Sequence, residues 1–93
     1  MPNFVVRVEM HSASAEHYEM LHEKMEARGY KREMQGSDGR TYRLPDAEYV
    51  TTKSYPIDAV RDEALAMADS ITPESFVLVT QAEKISWFLA PHS

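Results

Sequence analysis

Arg7 and Glu9 sit two residues apart in the stretch Phe4-Val5-Val6-Arg7-Val8-Glu9, which alternates as a β-strand does. In an extended chain that spacing sends both side chains to one face. There a guanidinium can balance charge on a phosphate and a carboxylate can move a proton. Tyr42 and Arg43 add a phenol and a second guanidinium beside a run of turn residues. An acid or a tyrosine close to arginines is what phosphodiester cleavage needs, with Glu9, Tyr42 and Arg43 as the catalytic candidates. Arg7, Arg40 and Lys53 are the cations expected to meet the polyanion. Cross-strand ion pairing is the competing account of the same residues.

Other chemistries find less support. Cysteine is absent, which removes thiolate nucleophiles, disulfides and Cys-ligated zinc. His17 and His22 are five apart, so a helix would separate them by ~140° rather than stack them as a zinc-binding pair. With His11 and His92 they read as surface residues, and no metal is expected. None of the glycines, Gly29, Gly36 and Gly39, opens a phosphate-cradling loop before a helix, so no nucleotide cofactor is expected either. The Gly-aromatic strand of RNA-recognition modules is missing, since the corresponding stretch reads Ala47-Glu48-Tyr49-Val50-Thr51. Met25 and Met67 fall on apolar helix faces and read as core.

The elements that must position these groups follow from periodicity. Phe4, Val6 and Val8 mark the buried face of a central first strand. Ser12 and Ser14 offer cap oxygens, Glu16 and Glu19 suit the opening turns, and Gly29 suits a C′ position, which predicts a helix over 14–28. Within it Tyr18, Leu21 and Met25 share a face opposite an acidic stripe. Tyr30–Gln35 and Arg40–Leu44 flank Gly36-Ser37-Asp38-Gly39, the turn chemistry of a hairpin. Pro45 interrupts the ladder before a β-rich run at Ala47–Lys53. A second helix over 56–71 presents Ile57, Val60, Ala64, Met67, Ala68 and Ile71 on one face, and Ser75–Ala82 reads as a last buried strand. Ile85–Leu89 is an extra element at the edge.

Ninety-three residues make one domain, 1–93. The order β-α-β-β-α-β predicts an α+β, ferredoxin-like two-layer sandwich. Its four-stranded antiparallel sheet would carry both helices on one face and a short extra C-terminal element. The opposite face of the sheet is then free for work. Charge is sorted the same way: the two helical segments hold eight acids against Lys24, Arg28 and Arg61, which equals the whole net charge of -5. The net charge argues against generic, charge-driven nucleic-acid binding, while the sheet side can tolerate an anion. No apolar run approaches the ~20 residues that span a bilayer, and Met1-Pro2-Asn3 enters the first strand without a leader pattern. Cytoplasm is the expected location, with no membrane partner.

Met1-Pro2-Asn3-Phe4-Val5-Val6-Arg7-Val8-Glu9, Tyr42-Arg43-Leu44-Pro45-Asp46-Ala47-Glu48-Tyr49 and Phe76-Val77-Leu78-Val79-Thr80 together resemble the GhoS antitoxins, small bacterial endoribonucleases of type V toxin–antitoxin systems. The resemblance covers nearly the whole chain in element order and length, and most of its motifs are framework. It implies a ferredoxin-like domain, related in shape to CRISPR adaptation nucleases, that cuts a toxin's messenger RNA. An acid at the end of the first strand marks the site in those folds; Glu9 occupies that position, with Glu in place of Asp. Tyr42-Arg43 falls where the antitoxin has an arginine-containing segment, which implies Arg43 as a candidate phosphate contact. The acidic helices and the lack of a basic cluster depart from what RNA cleavage usually requires. A non-enzymatic module that homodimerises through the open sheet, or through Trp87 and Phe88, is the alternative. A small-molecule binder or a dimeric α+β-barrel enzyme suits the same topology.

Overall fold

The computed structural model describes residues 2–45 and 47–85. Trp87, Phe88 and His92 lie outside the described residues, as does the extra element beyond Ile85. The elements run β1 (Asn3–Met10), α1 (Ala15–Ala27), β2 (Glu33–Gln35), β3 (Thr41–Arg43), β4 (Glu48–Thr52), α2 (Ile57–Asp69) and β5 (Ser75–Ala82).

β1 is central, as its alternation predicts, and pairs antiparallel with β4 on one side and β5 on the other. Phe4, Val6, Val8 and Met10 point into the core, where they meet Leu21 and Met25 of α1 and Val60, Ala64 and Ala68 of α2. Both helices therefore cover the same face of β1. Each fully buried aliphatic side chain here stabilises the fold by about 1.5–3 kcal/mol relative to exposure. Ile57, expected on the inner face of α2, is instead 38% exposed at the first turn. Among the described residues no helix is long and apolar enough to cross a membrane.

Helix α1 starts at Ser14, whose Oγ accepts the His17 N–H at 3.2 Å while His17 Nδ1 accepts the Ser14 N–H at 3.1 Å. His17 thus closes a capping box, which accounts for its place in the sequence. At the other end the chain leaves through Gly29 at φ +85, a conformation a Cβ disfavours. Tyr30 N–H then closes on Met25 O at 3.0 Å.

The four-stranded ferredoxin-like sheet expected from the element order does not form. The main sheet has three strands in the order β4-β1-β5, and β2 and β3 make a separate two-stranded sheet. A single bridge is left where the fourth strand would join: Lys31 N–H donates to Val50 O at 2.7 Å and Val50 N–H to Lys31 O at 2.8 Å. From Arg32 onward the chain pairs with itself. Leu44 N–H donates to Arg32 O, and Glu33, Met34 and Gln35 pair with Arg43, Tyr42 and Thr41. Two features favour that departure. Pro45 has no N–H for a ladder, and Ala47 sits at φ 63, so the chain turns sharply between β3 and β4.

Candidate functional site on the open sheet face

Alternation along β1 places Asn3, Val5, Arg7 and Glu9 on the face away from the helices. Arg7 stands opposite Glu48 on β4 and Leu78 on β5, and Glu9 stands opposite Phe76. Arg7, Glu9, Phe76, Val77 and Leu78 line one shallow cleft of about 230 Å³. Phe76 and Leu78 are 66% and 64% exposed, unusual for large apolar side chains in the middle of a strand. A guanidinium, a carboxylate and an open aromatic ring therefore share one small surface.

The other expected site residues are distributed elsewhere. Tyr42, Arg43 and Arg40 belong to the hairpin. Tyr42 Oη donates to Asp38 Oδ2 at 2.6 Å, and Arg40 N–H donates to Asp38 Oδ1 at 2.9 Å. The bond from Tyr42, followed by the one from Arg40, holds the Asp38 carboxyl below the usual carboxylate range, and the same contact pushes the Tyr42 phenol up. Gly36 leaves room for this contact, because a Cβ there would come within 2.8 Å of Asp38 Oδ1 and 2.9 Å of the Tyr42 ring, and those side chains would have to shift. Arg43 is exposed and faces Glu33 across the hairpin ladder.

Lys53 is turned toward the helices, not toward the open face. Its Nζ donates to Arg28 O at 2.6 Å and to Glu63 Oε1 at 3.1 Å, and lies 4.7 Å and 5.0 Å from the Tyr30 and Tyr55 ring centres. Tyr30 Oη donates to the same Glu63 oxygen at 2.7 Å. Burial alone would push the Glu63 carboxyl up. The bonds from Tyr30 and Lys53, with the charges of Lys53 and Arg28, outweigh it and hold the carboxyl low. Burial and Glu63 together push the Tyr30 phenol up. Lys53 thus serves as a tie between α2 and the end of α1.

His22, expected at the surface, is buried at 8% exposure. Its Nδ1 lies 2.6 Å from the hydroxyl of fully buried Tyr49. Burial pushes the Tyr49 phenol up, so it keeps its proton. The signal for this pair was present in the spacing. His22 falls between Leu21 and Met25 on the inner face of α1, and Tyr49 lies on the inward period of β4, where a buried phenol requires a partner. Beside them Ala15, Tyr18, Glu19, His22, Arg32 and Ala47 line a second cleft of about 370 Å³. A third, of about 400 Å³, opens between the hairpin and the outer edge of β4, where Lys31, Glu33 and Gln35 face Val50 and Thr52. Among the described residues no group of three or more His, Asp or Glu side chains is placed to hold a metal ion.

No family model, curated protein or solved structure matches the chain.

Proposed function

We propose that the chain is a small endoribonuclease of the antitoxin type that acts from the open face of its three-stranded sheet. The observation that carries this reading is the shared cleft of Arg7, Glu9 and Phe76. Phe76 offers a bare ring on which an unpaired base can stack, and Arg7 offers a guanidinium to the phosphate beside it. In that position Glu9 takes the proton from a ribose 2′-hydroxyl as its oxygen attacks the adjacent phosphorus. The bond to the 5′-oxygen breaks, and that oxygen takes a proton from water. Arg7 balances the charge that gathers on the phosphoryl oxygens. The products are a 2′,3′-cyclic phosphate and a 5′-hydroxyl end. Arg43 and Arg40, on the hairpin, are the contacts to flanking phosphates, and the resemblance to GhoS makes a toxin messenger RNA the substrate.

Single-stranded RNA carrying such a transcript is incubated with the chain and with the Arg7→Ala and Glu9→Gln variants. Cutting should fall by roughly 10²-fold or more in each variant, in line with the loss of a general base or a charge-balancing donor. Intact RNA with the unaltered chain, or undiminished cutting by either variant, ends the reading.

One observation favours a second reading, a homodimer without catalysis. Phe76 and Leu78 stand exposed beside half-buried Val5, and Arg7 lies next to Glu9 and across from Glu48, so the patch can meet a copy of itself with charges matched. A dimer mass in light scattering that reverts to one chain in Leu78→Glu, with no cutting of RNA, selects this reading over the first.

A further inference from the structure

The cleft beside the His22–Tyr49 pair carries one lining residue of each charge. Arg32 and Glu19 both line it, and neither forms an ion pair with the other or with any other described residue. Half-buried Tyr18, buried His22, Ala15 and Ala47 complete the lining. Tyr18 and His22 are both anchored. The Tyr18 hydroxyl accepts the Met10 N–H at 3.0 Å, and His22 Nδ1 meets Tyr49 at 2.6 Å. The Tyr49 hydroxyl bonded to His22 lies close enough to feel the Arg32 charge and, with the opposite effect, those of Glu26 and Glu19. At about 370 Å³ the cleft falls within the size range of small-ligand pockets.

We propose that this cleft binds the guanine base of a nucleotide. Guanine presents N1–H and the N2 amino group side by side, two donors that match the two oxygens of a carboxylate, here Glu19. Its opposite edge carries O6 and N7, the acceptor pair that an arginine fork takes, here Arg32. Half-buried Tyr18 supplies ring surface for the base, and His22 backs the cleft from beneath. Adenine reverses the pattern, with an acceptor at N1 that the Glu19 carboxylate repels. Uracil has a single ring N–H between two carbonyls and cannot engage both carboxylate oxygens. The base can belong to a free nucleotide or to an unpaired position of RNA, and in either case the recognition is the same. The inference stands apart from the open-face reading, because the cleft lies on the helix side and binding requires no cleavage.

Calorimetric titration of the full chain with 5′-GMP, 5′-IMP, 5′-AMP, 5′-UMP and inorganic phosphate tests it. GMP should bind, and IMP, which lacks the N2 amino group, should bind roughly tenfold more weakly, with AMP, UMP and phosphate weaker again. Glu19 is exposed on α1, so Glu19→Gln should keep the melting temperature while weakening GMP roughly tenfold and erasing its advantage over IMP. Arg32→Ala should weaken every purine nucleotide. A short single-stranded RNA with one guanine separates the sources: much tighter binding than GMP points to RNA, and equal binding to the free nucleotide. No heat with millimolar GMP, equal affinity for all four nucleotides, affinity matched by phosphate alone, or a Glu19→Gln variant that still prefers GMP overturns the proposal.

Discussion

Replacing Glu63 with glutamine should destabilise the protein by about 2 kcal/mol at neutral pH. The Glu63 carboxylate and the Lys53 ammonium are only 17% and 13% exposed, so both are largely removed from water. Glutamine keeps the shape and an oxygen that can accept from Tyr30, but it removes the charge that holds Lys53 at 3.1 Å. Hydrogen bonds to a charged group are worth about 1.5–3 kcal/mol, and the amide recovers part of one of them, which brings the net loss to about 2 kcal/mol. Arg28 adds little, being 64% exposed at 3.5 Å. For a domain of this size the melting temperature should fall by roughly 8–16 °C. The pH dependence follows from the depressed Glu63 carboxyl. A carboxyl lowered in the folded state contributes its full stability above its unfolded value near 4.5, and loses it as pH falls through the folded value. Thermal melts followed by circular dichroism at pH 7 and at steps down to pH 3 should show the two proteins far apart at pH 7 and converging below about 4.5. Equal melting temperatures at pH 7, or a gap that stays constant into acid, would refute the charge-centred account of this cluster.

Three further outcomes check other parts of the structure. Tyr49→Phe removes the partner of a buried imidazole nitrogen and should cost about 1–3 kcal/mol in denaturant unfolding; a change below half a kcal/mol would mean that the His22 contact carries no stability. Among the described residues the buried Thr72 hydroxyl has no hydrogen-bond partner, so Thr72→Val should leave stability unchanged or raise it by about 1 kcal/mol, read by the same melts. Gly36→Ala should push the Asp38 and Tyr42 side chains apart and weaken the hairpin while the three-stranded sheet persists, seen as reduced amide protection confined to residues 33–43 in hydrogen exchange.

Local pattern was enough to locate most elements. Period-two alternation identified the inner face of β1, and helical spacing identified Leu21, Met25, Val60, Ala64 and Ala68 as core, because burial of one face is the strongest constraint a short amphipathic segment carries. The pairing of Arg7 with Glu9 on a common face was legible for the same reason. Tyr42 and Arg43 were grouped with them on the expectation of a continuous sheet and on the resemblance to GhoS, and the sheet is not continuous.

What periodicity cannot express is which edge a strand pairs with. The stretch 30–35 carries a strand pattern either way, yet its hydrogen bonds go to β3 after one bridge to Val50, and that choice belongs to the turn geometry around Pro45 and Ala47. Long-range partners were equally hidden. Lys53 and Glu63, or His22 and Tyr49, are distant in the chain and meet only because two helices and a strand pack on one another. Residue types and their local spacing determined the elements, their buried faces and the charge of each layer. Only packing decided the strand partners, the destination of Lys53 and the cleft beside His22, because such contacts depend on how the elements meet in space.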